Sequence, residues 1–276
     1  MSQHLHCGRF DLSLKRPLVM GIVNLTDDSF SGDGLRGDHQ RAIDHGLQLV
    51  QEGADILDLG AESSRPGATP IDVQQEVERL LPVLAGLRDC GVPLSVDTQK
   101  TEVMRSVLSG GADMINDIGA LLAPQALEAV AASQAAVCLM HMQGEPNSMQ
   151  QAPGYGDVMV EVRDFLITRA QAARDAGIAA ERIVLDPGFG FGKTLAHNLI
   201  LLRNLAELCE IGLPLLVGLS RKSMLGLLTG QPADARLSAG IAAGLLALQR
   251  GARIVRVHDV AAWRDVIAVW NAVEEI

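Results

Sequence analysis

Eight short apolar runs punctuate the chain, and each stops at a polar or charged residue. VMGIVN closes at Asn24, DILDLGAE at Glu62, LSVD at Asp97, and DMIND at Asn116 and Asp117. AVCLMH closes at His141, RIVLD at Asp186, LLVGLSRK at Arg221 and Lys222, and RIVRVHD carries Arg256 and His258. The runs are rich in Val, Ile and Leu without alternation, the signature of strands buried on both faces of a parallel sheet. Between them lie stretches of helical periodicity at about 38–52, 72–89, 101–109, 124–133, 156–176, 196–211, 235–250 and 260–274. In the second of these, Val73, Val77, Leu80, Leu81 and Leu84 fall on one face. Strand–helix alternation repeated eight times predicts an α/β fold, a closed (β/α)8 TIM barrel; an open doubly wound sheet is the alternative. No stretch reads as an interdomain linker, so residues 1–276 form one domain, with the barrel at about 17–274. Residues 1–16 are an N-terminal extension, of which 3–16 suit a short hairpin plugging the barrel floor.

Three irregular segments, 26–37, 61–71 and 142–155, all follow predicted strands. In a barrel they emerge at the C-terminal rim, where barrel enzymes keep their active sites. Their Gly, Pro, Ser and Asp content suits lids over a ligand.

Composition narrows the partners. The 276 residues are 48% apolar and 20% charged, with a net charge of −10. Such acidity argues against a nucleic-acid surface, which needs a clustered basic face, but leaves room for a small anion held by a few local Arg and Lys. Four scattered cysteines show neither a Cys-x-x-Cys pair nor zinc spacing. The N-terminus lacks signal-peptide features, and no apolar run approaches the roughly 20 residues that span a bilayer. A cytoplasmic protein with reduced thiols and no membrane or nucleic-acid partner is expected.

The polar tips carry the chemistry. Asp97, Asn116 and Asp186 end three different runs and face one rim together with Lys222. A lone Asp at a strand end is usually a helix cap; three on one rim suit a planar heterocycle bearing N–H and C=O groups. Arg65, Arg221, Lys222, Arg256 and His258 add positive charge, against which the plain alternative is pairing with rim carboxylates. Strand geometry puts Arg256 and His258 on one face, and phosphate or pyrophosphate is the natural counter-charge.

DPGFGFGKT at 186–194 fails as a phosphate-binding loop, because the position five before the Gly of GKT is Pro187. Its glycines suit a tight turn that brings a ligand ring to the backbone, with Phe189 and Phe191 as aromatic walls, one of which could be core. Asn24, followed by Thr26, Asp27, Asp28 and Ser29, offers oxygen ligands suited to Mg2+, or an Asx-turn. Cys138 and His141 lack zinc-ligand companions and read as packing.

Assembled, GIVNLTDDSFS, GADILDLGAESSRPGA, SVDT, MINDI, DPGFGFGKTLAHN, GLSRKS and VRVHDV appear in the order found in the dihydropteroate synthases of the bacterial folate pathway. The chain resembles that family from about residue 17 to residue 272. The resemblance implies a transferase that condenses 6-hydroxymethyl-7,8-dihydropterin pyrophosphate with p-aminobenzoate, giving 7,8-dihydropteroate and pyrophosphate by an SN1-like route with Mg2+. It implies that Asp97, Asn116, Asp186 and Lys222 line the pterin pocket, with Ile118, Met140 and Gly218 as apolar contacts. Asn24, Ser64, Arg65, Arg256 and His258 are then expected at the pyrophosphate, Asn24 with the metal. Pro66, Phe191, Lys222 and Ser223 are expected around p-aminobenzoate. Asp97, Asp186, Lys222, Arg256 and His258 are the expected catalytic set.

The family is usually a homodimer, and Leu245, Leu248 and Trp270 of the last two helices are candidate interface residues. Sulfonamides are expected competitors of p-aminobenzoate, with Phe30, Ser64 and Pro66 as positions where resistance changes would arise. Asp27 stands where the family commonly has Pro, SGDG replaces the usual SDGG, and Ala61 replaces a usual Gly; looser loop closure or altered metal affinity is expected. A pterin-dependent methyltransferase domain shares the barrel but has no need of the SRKS and RVHD anion grip. A non-catalytic pterin-binding paralogue is the rival from another class.

Overall fold

The computed structural model describes residues 4–25, 39–63 and 70–274. Eight parallel strands form the predicted ring: β3 (Leu18–Asn24), β4 (Ile56–Gly60), β5 (Leu94–Asp97), β6 (Met114–Asp117), β7 (Ala136–Met140), β8 (Ile183–Asp186), β9 (Leu216–Val217) and β10 (Ile254–Val257). They are preceded by an antiparallel pair, β1 (His4–Cys7) and β2 (Phe10–Ser13). Pairing runs β8-β7-β6-β5-β4-β3-β10-β9. A single bridge between Leu185 and Leu215, with the Leu185 amide donating to the Pro214 carbonyl, joins the two end strands and closes the ring.

The helices are α1 (His39–Glu52), α2 (Val73–Leu87), α3 (Thr101–Ser109), α4 (Ala126–Ala131), α5 (Val158–Asp175), α6 (Leu195–Arg203), α7 (Leu205–Cys209), α8 (Ser223–Thr229), α9 (Leu237–Gln249) and α10 (Val260–Glu274). Four details depart from the sequence pattern. The second run leaves the sheet at Gly60, so Glu62 lies beyond the strand. The 196–211 stretch breaks at Asn204 into two helices. The inner line of α2 is Glu76, Leu80, Val83, Leu84 and Leu87, placing a carboxylate among leucines, while Val73, Val77 and Leu81 are only half-buried. Leu248 belongs to the core, so it cannot serve an interface; Leu245 and Trp270 are half-buried.

The core divides into two layers. A large cluster lies between the ring and its helices. A smaller one fills the barrel axis: Leu18, Met20, Ile56, Met114, Ala136, Cys138, Val184, Leu216 and Ile254 point inward, and Leu5, Cys7 and Leu14 cap them from below. The floor hairpin expected of residues 3–16 is therefore present. Leu5 is fully buried there, which stabilises the plug by roughly 2 kcal/mol. Arg9 fastens the hairpin, its guanidinium donating to both carboxylate oxygens of Asp113 at 3.0 and 2.9 Å.

Candidate active site

Parallel register aligns the strand tips, so the barrel mouth is set by where each apolar run ends. Gly60 pairs with Asp97, Asp97 with Asn116, and Met140 with Asp186. Asp97, Asn116 and Asp186 are thus brought to one rim, together with Arg256 from β10 and Lys222, which caps the start of α8.

At the centre stands Asp58, fully buried within β4. Its Oδ2 accepts from Arg256 Nε at 2.6 Å and from Asn116 Nδ2 at 3.0 Å, while Oδ1 has no partner. Arg256 also donates through Nη2 to Asp97 Oδ2 at 3.0 Å. The sequence assigned the rim carboxylates to a heterocycle and its cations to an anion, whereas Arg256 lies among the carboxylates and pairs with two of them. Sequence reasoning passed over Asp58. Its signal was an acid in the middle of ILDLG, where only a paired charge is tolerable.

Burial draws the proton affinities of the carboxyls and the ammonium toward one another. Asp97 is pushed up to about 7 by desolvation, against the pull of Arg256. Asp186 is also raised by burial, opposed by the Gly188 amide that donates to its Oδ1 at 2.7 Å. Lys222 is lowered to about 8, chiefly by burial. Carboxyls raised and an ammonium lowered toward neutrality are the mark of groups poised for proton exchange.

Lys222 lies over the ring of Phe191, 4.1 Å from Nζ to centroid. Phe189 is core, 1% exposed, which leaves Phe191 as the phenylalanine available at the mouth. Ser223 is exposed on the first turn of α8. His258 Nδ1 lies 2.9 Å from Ser220 Oγ, next to the half-exposed Gly218. Arg221, in a left-handed conformation, turns away and donates to Asp259 at 2.8 Å, so it does not join the mouth. Ile118 and Met140 are buried at the tips of β6 and β7, as expected of an apolar lining. Asn24 is half-buried at the tip of β3, and its side chain makes no hydrogen bond among the described residues. Ser64, Arg65 and Pro66, with Phe30, Asp27 and the SGDG segment, lie outside the described residues.

A cavity of about 180 Å³ opens beside Asp97, lined also by Glu62, Thr98, Lys100, Ile118 and Asn147. Lys100 went unnoticed in the sequence. Its ammonium donates to Glu62 Oε2 at 3.0 Å, to the Ile71 carbonyl at 2.8 Å and to the buried Glu76 at 2.6 Å. Glu62 Oε1 accepts from the Ile71 amide at 3.0 Å, so residues 62 and 71 are tied together. The signal was Glu76 on an apolar helix face, a charge that needed a partner.

Among the described residues no group of three His, Cys, Asp or Glu can cage a metal ion. The Asn24 amide oxygen, without a partner among the described residues, nevertheless fits Mg2+, which keeps waters and is held by one or two protein groups plus substrate phosphates. No described helix is long and apolar enough to cross a membrane.

Residues 20–258 match the family of pterin-binding enzymes. The dihydropteroate synthase of Neisseria meningitidis serogroup C is 51% identical over 99% of this chain and 98% of its own length. Among solved structures, the dihydropteroate synthase of Xanthomonas albilineans with 4-aminobenzoic acid superposes with a TM-score of 0.93 at 50% identity, covering 100% of both chains. The enzyme from that organism in complex with 7,8-dihydropteroate gives 0.88 at 46% identity, again over 100% of both. Family model, relatives and fold agree: the chain belongs to the dihydropteroate synthases.

Proposed function

We propose that the barrel mouth binds 6-hydroxymethyl-7,8-dihydropterin pyrophosphate and p-aminobenzoate and joins them by a dissociative route. The observation that carries this reading is the buried Asp97–Arg256–Asp58–Asn116 network, which sets donors and acceptors for a planar ring beside cations for its leaving group. The relatives solved with 4-aminobenzoic acid and with 7,8-dihydropteroate support the choice of ligands.

The pterin ring rests on Ile118, Met140 and Gly218, its polar edge meeting Asn116, Asp97, Asp186 and Lys222. The bond between the pterin methylene carbon and the bridging oxygen breaks, and its electron pair leaves with pyrophosphate. Arg256, His258, Arg65 and Ser64 bind that developing anion. Asp97 and Asp186 stabilise the cationic pterin, so catalysis is electrostatic preorganisation without a covalent enzyme intermediate. The amine of p-aminobenzoate then forms the C–N bond and gives up one proton. Phe191, Pro66 and Lys222 hold its ring, and its carboxylate lies at Ser223 on the first turn of α8. Asn24 holds Mg2+, which when bound neutralises charge on the pyrophosphate.

The same reading places the protein in the cytoplasm as a homodimer. Leu227 and Leu228 on α8, 70% and 54% exposed, with Leu246 on α9 at 41%, support an apolar face that a second copy covers.

Pyrophosphate release tests the function directly. Purified protein with both substrates and Mg2+ should release pyrophosphate only when p-aminobenzoate is present, and sulfonamides should inhibit competitively with it. Release that is absent, or independent of p-aminobenzoate, would overturn the reading in favour of a pterin-binding protein without turnover.

A further inference from the structure

The lysine of the GKT segment and the histidine that follows β7 meet inside the protein. Lys193 is 3% exposed. Its ammonium lies 2.9 Å from His141 Nδ1, 3.2 Å from the His141 carbonyl, 2.9 Å from that of Gly188 and 3.0 Å from that of Phe191. Three protons thus face four acceptors, all on the turn between β8 and α6 or at the exit of β7. Burial lowers the lysine to about 7 against the pull of Asp186, with Lys222 adding to the fall. Burial, then Lys193, lowers His141 to about 3. The imidazole is therefore neutral near pH 7, and accepting at Nδ1 leaves its proton on Nε2. His141 is more than packing.

The turn has little of its own to hold it. Gly188, Gly190 and Gly192 take φ of +69°, +79° and +61°, conformations that glycine adopts without preferring. Phe191 N to Gly188 O, at 3.1 Å, is its one internal backbone bond. Side chains supply the rest. Asn198 accepts from the Gly190 amide at 2.8 Å, and the Tyr155 hydroxyl donates to the Gly192 carbonyl at 2.8 Å. Lys193 alone reaches both the Gly188 and the Phe191 carbonyls.

What the turn presents is one wall of the mouth. The Phe191 ring takes the Lys222 ammonium on its face, and a methyl group on Gly190 would stand 3.2 Å from Lys222 Cδ. Both groups that fix the course of Lys222 therefore sit on the turn. The pterin contacts depend on the turn only in part. Asp97 and Asn116 come from other strands, and the Asp186 backbone is held by strand pairing with Met140 and by the His141 amide, which donates to its carbonyl at 2.9 Å. Only the Asp186 carboxylate, which accepts from the Gly188 amide, and Lys222 itself touch the turn.

We propose that Lys193, hydrogen-bonded to His141, is a positioning residue for the synthase reaction: it holds the 187–192 turn so that Phe191 and Gly190 fix Lys222 for p-aminobenzoate. This rests on the assignment of Phe191 and Lys222 to the p-aminobenzoate side. Loss of the lysine takes the donor from the His141 and Phe191 carbonyls and leaves that of Gly188 with the Phe191 amide alone, and the turn relaxes to satisfy them. The Asn198 and Tyr155 bonds remain, so the fold survives.

Steady-state kinetics with each substrate varied in turn tests the proposal, using a parent protein already shown to release pyrophosphate in a p-aminobenzoate-dependent manner. Lys193→Met should raise KM for p-aminobenzoate at least tenfold, while KM for the pterin pyrophosphate, which shares Lys222 but keeps Asp97 and Asn116, rises by a clearly smaller factor. His141→Asn, which keeps an acceptor near the Nδ1 position, should stay within threefold of the parent for both substrates. His141→Leu, which removes it, should raise KM for p-aminobenzoate at least threefold. An active parent whose Lys193→Met variant loses both affinities in equal proportion, or neither, overturns the proposal. Should Lys193→Met fail to fold, the two histidine variants decide, and indistinguishable kinetics between them overturns it. An inactive parent refutes instead the assignment of function beneath it.

Discussion

Asp58 offers the sharpest test of how the mouth is held together. Replacing it with alanine removes the acceptor of two hydrogen bonds, one of them from a guanidinium at 2.6 Å. Hydrogen bonds to charged groups contribute roughly 1.5–3 kcal/mol each, and unpairing a buried ion pair costs about 3–5 kcal/mol. Two features lower the expectation. Arg256 keeps Asp97 and has a side chain 22% exposed to the mouth, so water solvates part of its charge. Asp58 Oδ1 is already unpartnered, and that desolvation cost disappears with the carboxylate. A net loss of about 3 kcal/mol follows, which for a barrel of this size lowers Tm by roughly 6–12 °C. Asp58→Asn keeps shape and one acceptor oxygen but not the charge, and should cost about half as much. Urea denaturation of Asp58→Ala, Arg256→Met and the double variant measures the coupling. The doubly substituted protein should be more stable than the summed losses imply, by about 2 kcal/mol. Additivity within about 0.5 kcal/mol, the behaviour of independent sites, would refute the claim that Asp58 acts through Arg256, as would equal losses for the alanine and asparagine variants.

Three further outcomes are expected. Lys222, lowered to about 8 from an ordinary 10.5, loses its charge as pH rises through 8. KM for p-aminobenzoate should then climb between pH 7.5 and pH 9, and a flat profile there refutes the role of its charge. The unfolded chain binds this proton more tightly, so the Lys222 contribution to stability grows with pH between about 8 and 10.5. Asp97 acts in the opposite sense. Raised to about 7 from 3.8, it contributes stability that is lost as pH rises from 3.8 toward 7. Among the turn glycines, Gly188→Ala drives a methyl into the His141 carbonyl oxygen and should not fold, whereas Gly190→Ala meets only the Lys222 side chain, nearest at Cδ at 3.2 Å. The latter should cost about 1–2 kcal/mol of left-handed strain. Expression and thermal melts of the pair check the contrast, and equal behaviour would refute it.

The barrel was legible because buried parallel strands leave unbroken apolar runs, and because a run must end where the chain meets solvent. That rule located Asp97, Asn116 and Asp186. It missed Asp58, since an acid inside a strand acquires meaning only from its cation, here 198 residues away. Lys193 was hidden for a similar reason: testing GKT as a phosphate loop asked what it would bind outside the protein, whereas its acceptors are the backbone of its own turn and His141. Glu76 and Lys100 are 24 residues apart, on elements that periodicity treats separately. β9 was overestimated, because apolar content continues past Val217 while ladder pairing does not. Within 64–69, Arg65 was legible from its charge, whereas Ser64 and Pro66 came from the family resemblance.

The floor hairpin has a bearing on the mouth above it. With Leu5, Cys7 and Leu14 closing the axis and Met20, Met114 and Ile254 filling it, water can reach the carboxylates from one side only. A barrel open at both ends would bathe Asp58 and Asp97 in a continuous column of solvent and return the proton affinity of Asp97 toward its ordinary value. A strand pair outside the eightfold ring thus acts as the insulator beneath the charge network. Its apolar side chains, packed in the axial core beneath the mouth, help set how strongly those charges feel one another.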